Sequence, residues 1–314
     1  MRPRRFAFVL QEGYALMSTA AALEPLRAAN LFAGQMLYEP VILTRGGGPA
    51  TASVGSHFDS LPLAQAPADL DLIFVVAGGD PLAVRDGALF AWLRRQADRG
   101  TALGAISGGA ALLWRAGLLE GRRFTLHWHH MEALRTENPG ALMEQRLFVI
   151  DRDRYTCAGG TAPLDMMHAI IARDHGSRFA AAISDWFIQT EVRLADAPQQ
   201  GSTAARYGAL PPPVTAALEL METHVADPLS VAQIAALTGL SSRQLQRLFH
   251  EAMQAPVAEV YRGIRLDVAR DLVRRTRLPL AEVAQMTGFA TQAHFSGAYS
   301  ARHGSPPRSD RAGA

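Results

Sequence analysis

The stretch Thr101–Leu119, "TALGAISGGAALLWRAGLL", decides how the first two thirds of the chain is read. An apolar run leads into Ser107-Gly108-Gly109, and an apolar helical run follows. That order reads as strand, tight turn and helix, with Ser107 at the turn, where an α/β enzyme holds a nucleophile. The same alternation extends on both sides. "RFAFVLQ" (5–11), "YEPVILT" (38–44) and "DLDLIFVVAGG" (69–79) read as apolar strands. "ALMSTAAALEPLRAANLFAG" (15–34) and "ALFAWLRRQADRG" (88–100) read as helices closed by glycine. "RGGGPATASVGS" (45–56) is turn-rich, and "RRFTLHW" (122–128) reads as a further strand before the helix "HHMEALRTENPG". "RLFVIDRDRYTCAGG" (146–160) reads as a hairpin and "APLDMMHAIIARDHG" (162–176) as a helix. Strands alternating with helices predict an α/β fold of flavodoxin-like type, a parallel sheet sandwiched by helices.

The texture changes at "LADAPQQGSTAARYGALPPPV" (194–214), rich in Pro, Gly, Ser and Ala. We place a domain at 1–195, a linker at 196–213 and a second domain at 214–314. The second domain reads as all-α, and it repeats. "LSVAQIAALTGLSSRQLQRLFHEA" from 229 and "LPLAEVAQMTGFATQAHFSGAYSARHG" from 278 share a short helix, a Thr-Gly turn and a polar helix about 49 residues apart. Each half fits a helix-turn-helix, with Gly239 or Gly288 in the turn and Ser241 or Thr291 opening the second helix. A helix that enters the major groove needs donors on its outward face. Ser242, Arg243, Gln244, Gln246 and Arg247 supply them in the first copy, and Gln292, His294 and Ser296 in the second. Arginine suits guanine edges and glutamine adenine edges. Two such helices would lie in neighbouring grooves, roughly 34 Å apart.

Composition agrees with a polyanion partner in this region. Residues 229–314 carry 11 arginines against 6 acidic residues, whereas residues 1–228 carry 20 against 23. All 31 basic residues of the chain are arginine, and the formal net charge is +2. Hydrophobic content of 48% leaves ample material for two cores. The single cysteine, Cys157, excludes an internal disulfide and a cysteine zinc cluster, and reads as a small buried hydrophobe. The apolar run after the basic start is broken at Gln11-Glu12-Gly13, too soon for a signal core, and no stretch reaches the ~18 apolar residues of a membrane span. The expectation is a cytoplasmic protein with no membrane association and no cofactor.

Residues 214–311 resemble the DNA-binding domain of the AraC/XylS family, through the two repeats above and "YRGIRLDVARDLV". Two positions depart from that pattern: Gln254 stands in place of a usual glycine, and Gly297 where an arginine or lysine often helps. Residues 5–193 resemble the PfpI/ThiJ type of class I glutamine amidotransferase-like domain, through "VVAGGDP", "GAISGGAALLWRAGLLEGRRFTLHW" and "CAGGTAPLDMM". The combination is similar to GlxA-type transcriptional regulators, and "EPLRAAN" with the latter two stretches is similar to regulators of carnitine, glycine-betaine and amino-acid (arginine) catabolism. The resemblance implies double-stranded DNA, a small-molecule inducer, RNA polymerase and a second copy of the chain as partners.

In catalytic relatives of the first domain the elbow holds a cysteine activated by a following histidine. Here it holds Ser107, and His127 follows twenty residues on. Ala105 replaces the first glycine of G-x-S-x-G, Leu126 and Trp128 flank His127, and no carboxylate stands near Ser18, where relatives carry a glutamate that contacts the elbow. We therefore assign no catalytic residue and regard Ser107 and His127 as a degenerate pair. A Ser107-dependent hydrolase or lyase with a helical appendage is the alternative. The expected ligand site is Gly78, Gly79, Ser107, Gly108, His127 and Trp128, with backbone N–H groups and a helix starting at Gly108 facing a carboxylate. Trp128 is either a core ring or a cation–π partner, which would suit an amino acid or betaine. His127, His129 and His130 lack a third ligand on one face of the expected strand, so no metal is assigned.

Overall fold

The apolar runs at 5–10 and 72–77 pair as neighbouring parallel strands. β1 (Arg4–Leu10) lies between β2 (Tyr38–Thr44) and β5 (Leu72–Ala77), with Phe8 opposite Ile42 on one side and Phe74 on the other. The remaining strands are β3 (Gly48–Thr51), β4 (His57–Pro62), β6 (Ala102–Ser107), β7 (Phe148–Asp151) and β8 (Arg154–Cys157). The sheet order is β3-β4-β2-β1-β5-β6-β8-β7, parallel except for the two edge strands β3 and β7. The computed structural model describes residues 2–200, 207–208, 210–276 and 278–312. They divide into two units, Met1–Gln200 and Gly201–Ala314.

The central strands β1, β5 and β6 are apolar along most of their length because each face is covered. Phe6, Phe8 and Leu10 of β1 and Leu72, Phe74 and Val76 of β5 face α1 (Leu16–Ala33), α5 (Ala162–His175) and α6 (Ser177–Trp186). Ala7, Val9, Ile73, Val75 and Ala77 face α2 (Gly87–Asp98), α3 (Gly109–Arg115) and α4 (Trp128–Glu137). Gly104 of β6 leaves room for the Phe74 ring, since a Cβ there would stand 2.3 Å from it.

Three sequence expectations change in this unit. The turn-rich run 45–56 contains β3 and the start of an antiparallel hairpin with β4, tied by Ser60 Oγ donating to Gly48 O at 2.6 Å. Residues 122–127 form no strand: Thr125 gives its N–H to the Thr156 side chain at 2.9 Å, and Phe124 makes only an isolated bridge to Met143. The expected linker begins later than its composition suggests. Ala195 O accepts from Leu147 N at 3.1 Å, and the Gln199 carboxamide is bonded into the unit, so residues up to 199 run along its surface. Residues 201–206 and 209 of that linker lie outside the described ones.

The second unit is helical: α7 (Pro212–Thr223), α8 (Val231–Leu237), α9 (Ser242–Met253), α10 (Val257–Arg275), α11 (Leu280–Met286), α12 (Gln292–His303) and α13 (Pro307–Ala312). α10 serves two cores. Val257 and Tyr261 join Leu218, Ile234, Leu245 and Phe249 in the first. Leu266, Ala269 and Val273 join Val283, Phe295 and Tyr299 in the second. α13 returns to α10 through Asp310, which accepts from Arg274 Nη2 at 2.9 Å, Tyr299 Oη at 2.7 Å and Arg270 Nε at 3.2 Å. Hydrogen bonds from Arg274 and Tyr299 hold its carboxyl at about 2.

The departure at Gln254 has a structural consequence. Gln254 ends α9 in the left-handed region, φ +54°, with its N–H on His250 O at 3.1 Å. Glycine reaches that conformation without the clash a side chain brings. Gln254→Gly is expected to stabilise the second unit by about 1 kcal/mol, read as a higher unfolding midpoint for that unit's transition. An unchanged or lower midpoint contradicts the strain.

Candidate functional site

Two places carry the chemistry foreseen from sequence: the outer faces of α9 and α12, and the turn between β6 and α3. At the first, Ser230 and Ser241 each form a capping box, with Gln233 and Gln244 returning to the cap backbone. Gly239, φ +72°, makes the turn between α8 and α9. Leu245 and Phe249 are buried, and Ser242, Arg243, Gln244, Arg247 and His250 are exposed. Arg243, Arg247 and His250 fall at i, i+4 and i+7, on one stripe. His250 belongs with the candidate contacts, and that spacing is the signal that could have found it. Arg247 approaches Glu251 at 3.7 Å, an exposed pair of little energetic weight.

The two glutamines differ from the sequence expectation. Gln244 Oε1 accepts from the Ser241 backbone at 2.9 Å. Gln246 Oε1 accepts from Val257 N at 3.3 Å, capping α10, whose N-cap Pro256 has no side-chain acceptor. Gln246 is thus drawn inward by a structural task.

The second copy repeats the geometry with different chemistry. Gly288, φ +72°, makes the turn, and Thr291 Oγ1 accepts from His294 N at 3.2 Å. Gln292, Ala293, His294 and Gly297 are exposed, while Ser296 is half-buried and its carbonyl accepts from Ser300 Oγ at 2.8 Å. His294 also leans edge-on against Phe289, ring centroids 5.6 Å apart. Nothing lies within 4 Å of a Cβ added at Gly297. α10 fixes the connection into α8 and the α11–α12 turn. Tyr261 Oη donates to His224 O at 2.5 Å and accepts from Leu229 N at 3.2 Å. Arg265 donates to Thr287 O at 2.8 Å and Gly288 O at 2.6 Å, with its guanidinium 4.4 Å from the Phe289 ring centre. Gly288 also lies close against Pro228, whose Cγ would be 2.4 Å from a Cβ.

At the β6–α3 turn, Ser107 has φ +59°, the strained conformation of a nucleophile elbow. Gly108 and Gly109 follow because the chain runs close to β5. A Cβ on Gly109 would stand 2.0 Å from Val75 O, and one on Gly108 2.6 Å from Pro81 Cγ. Helix α3 starts at Gly109, one residue later than expected, and Gly108 N–H is bonded to Ala77 O at 3.1 Å. That amide is therefore not a free donor for a carboxylate. Gly78 is needed for its own close approach, since a Cβ would stand 2.5 Å from Gly13 O, whereas Gly79 turns the chain at φ +58°. Ser107 is 7% exposed. Gly159 covers it: a Cβ at Gly159 would lie 2.7 Å from Ser107 Cβ and 3.0 Å from its Oγ. The covering loop is held from α1 by Ser18, buried, whose Oγ accepts from Gly160 N at 2.8 Å. Cys157, at the end of β8, is buried, and burial pushes its thiol up to about 12.

His127 and Trp128 approach from the segment after Thr125 and open α4. His127 Nδ1 accepts from His129 N at 3.3 Å. In the neutral ring Nδ1 is then the acceptor nitrogen. Trp128 is half-buried against the core of its face, its ring centre 5.4 Å from that of His127. Its backbone N–H donates to Gln199 Oε1 at 2.7 Å. Among the described residues no group of three or more His, Cys, Asp or Glu is placed to hold a metal. Two clefts, of about 360 and 600 Å³, lie elsewhere. Arg4, Arg173 and Asp174 line the first, and Leu16, Met17, Val54 and Phe187 the second.

Both halves have known counterparts. The DJ-1/PfpI family matches residues 8–173, and a helix-turn-helix domain family matches residues 234–313. The HTH-type transcriptional regulator GlxA of Rhizobium meliloti is 44% identical, across 94% of this chain and 92% of its own. The HTH-type transcriptional regulator CdhR of Pseudomonas aeruginosa is 38% identical, across 98% and 91%. The crystal structure of an AraC family transcriptional regulator from Pseudomonas putida covers 59% of this chain and 100% of its own, at TM-score 0.54 and 26% identity. The chain belongs to the GlxA-type family of AraC/XylS transcriptional regulators.

In this GlxA-type regulator the first unit is the ligand-sensing DJ-1/PfpI domain and the second the DNA-binding domain. No helix of the described residues is long and apolar enough to cross a membrane. The α9 stripe carries arginine, whereas α12 presents neutral and small side chains, so the two reading helices should contribute unequally. Replacing Arg243 and Arg247 together by alanine is expected to weaken promoter binding at least about thirtyfold and to flatten its salt dependence. Gln246→Ala should cost about 1 kcal/mol of stability and leave affinity within about threefold. A gel-shift titration over several salt concentrations distinguishes them. Conversely, Gly297→Arg fits the open space, and should tighten binding about threefold or more and steepen the salt slope by about one. A Gly297→Arg protein with wild-type affinity and slope places α12 away from the phosphates.

Proposed function

We propose that this protein is a ligand-responsive activator of a catabolic operon that senses a small zwitterionic or amino-acid-like metabolite at the β6–α3 elbow. The carrying observation is an elbow kept in nucleophile geometry, Ser107 at φ +59°, without the means to use it. A left-handed non-glycine residue costs on the order of 1–3 kcal/mol and persists where the site has a use. Turnover is disfavoured by three features: a hydroxyl in place of a thiol, a histidine with Nδ1 turned to its own backbone, and the covering Gly159 loop. The serine hydroxyl suits a carboxylate oxygen. The Trp128 face suits an alkylated or free ammonium. Admission of such a ligand requires the Gly159–Gly160 loop to move. In this reading the protein acts as a homodimer, binds repeated half-sites on double-stranded DNA and recruits RNA polymerase. Ligand matters only by favouring one arrangement over another.

The test is titration calorimetry of the full chain with glycine betaine, carnitine and a panel of amino acids, together with Ser107→Ala. Binding by at least one of these, weakened about tenfold in Ser107→Ala with DNA affinity intact, is the expected result. No heat from any of them removes this ligand class. Release of a product that stops in Ser107→Ala would instead establish the hydrolase alternative.

A further inference from the structure

The chain leaves α6 through Ile188, a non-glycine residue at φ +55°, and turns back along the sensing unit. Residues 189–199 then run as a strap along the sensing unit, which extends to Gln200. Its anchors lie on α5, on residues 146–147 and on residues 125–128. The first anchor is Asp165 of α5, 1% exposed. It accepts from Gln189 Nε2 at 2.9 Å, Arg193 N at 2.9 Å, Arg193 Nε at 3.1 Å and Arg193 Nη2 at 2.7 Å. Arg193 Nη2 also donates to Thr161 Oγ1 at 2.8 Å, next to the Gly159–Gly160 loop over Ser107. The second is Ala195 O, which accepts from Leu147 N. The third is Gln199. Its Oε1 accepts from Trp128 N at 2.7 Å, and its Nε2 donates to Thr125 Oγ1 at 2.9 Å, Leu126 O at 3.0 Å and Arg146 O at 2.8 Å.

The two ends of this strap differ in kind. A buried carboxylate that takes two guanidinium N–H groups is costly to separate, because Asp165 left alone is an unpaired buried charge. A neutral carboxamide on backbone groups exchanges for water or for another polar ligand at small net cost. The Asp165 end is therefore a hinge that holds, and the Gln199 end a latch that releases. The latch grips the peptide groups on both sides of His127, which any ligand reaching from Ser107 to Trp128 must approach.

We propose that the strap couples the elbow site to the DNA-binding unit, Gln199 holding the uninduced state until a ligand at His127–Trp128 displaces it. This rests on the reading of the elbow as the ligand site. Arg193 and Asp165 keep the strap attached, and release of Gln199 frees the residues that lead into Gly201.

Gln199→Leu removes the amide, and Gln199→Glu sets a carboxylate against two carbonyl oxygens and a threonine hydroxyl. Both are made in the full chain and followed by amide hydrogen exchange over 125–130, by thermal unfolding, and by a reporter driven from a promoter recovered by chromatin precipitation. The expected result, without any added ligand, is at least about fivefold faster exchange over 125–130 and an uninduced output raised at least about fivefold toward the induced level, the low end of ordinary allosteric coupling, with a cooperative unfolding transition retained. Faster exchange with uninduced output at the wild-type level overturns the coupling. Wild-type exchange in both variants overturns the latch. If one variant fails to fold, the other decides. Because the readout needs no ligand, a failed search among betaines and amino acids leaves it standing. A ligand that binds while both variants keep wild-type output sinks the strap and spares the ligand site.

Discussion

A methyl group on Gly109 would stand 2.0 Å from the Val75 carbonyl oxygen, so α3 can lie where it does only without one. That close approach is the constraint from which the elbow follows. It forces the chain to reverse between β6 and α3 within two residues and leaves Ser107 at positive φ. It also brings Gly108 N–H onto Ala77 O, which ties the turn to β5. The neighbouring loop then packs Gly159 directly on Ser107, and Ser18 holds that loop through Gly160. The geometry of a nucleophile elbow is a property of this backbone packing. It survives the loss of the thiol, which is how one fold hosts both enzymes and sensors.

The DNA-binding unit has a corresponding fixed part in α10. Tyr261 and Arg265, four residues apart on one face of that helix, each hold the backbone of one helix-turn-helix. Burial lowers the Arg265 proton affinity, and two carbonyls and the Phe289 ring compensate for the lost water. With Gly288 against Pro228, the two modules have little freedom to change their spacing. A rigid pair of helix-turn-helix units can engage only DNA whose groove spacing matches theirs, and such a match is a source of specificity.

Much of this was legible in the chain. The inner strands β1, β5 and β6 are continuous apolar runs because both faces are buried, and such runs announce themselves. The helix-turn-helix repeat was legible because its turns need glycine at positive φ and its caps need serine or threonine. The edges were not. β3 and β4 are short and half-exposed, and the glycine-rich run that contains β3 carries turn chemistry as well as strand. Residues 122–127 alternate like a strand, yet Thr125 satisfies its amide with a side chain. Gln246 carries the residue type of a base reader at a helical spacing, and only the position of Val257 N shows that it caps α10. Tertiary hydrogen bonds of polar side chains leave no local periodicity, so they escape pattern reading.

The linker shows the same limit with a functional consequence. Its composition, rich in Pro, Gly, Ser and Gln, describes a segment without secondary structure, and residues 194–199 indeed have none that is regular. Composition does not distinguish an unstructured tether from an ordered strap, because the strap owes its order to groups distant in sequence. Arg193 meets Asp165, and Gln199 meets Trp128. The sensing unit therefore extends to the point where the next unit begins. In the proposed coupling the signal leaves through an ordered strap, because Gln199 already touches the segment that carries His127.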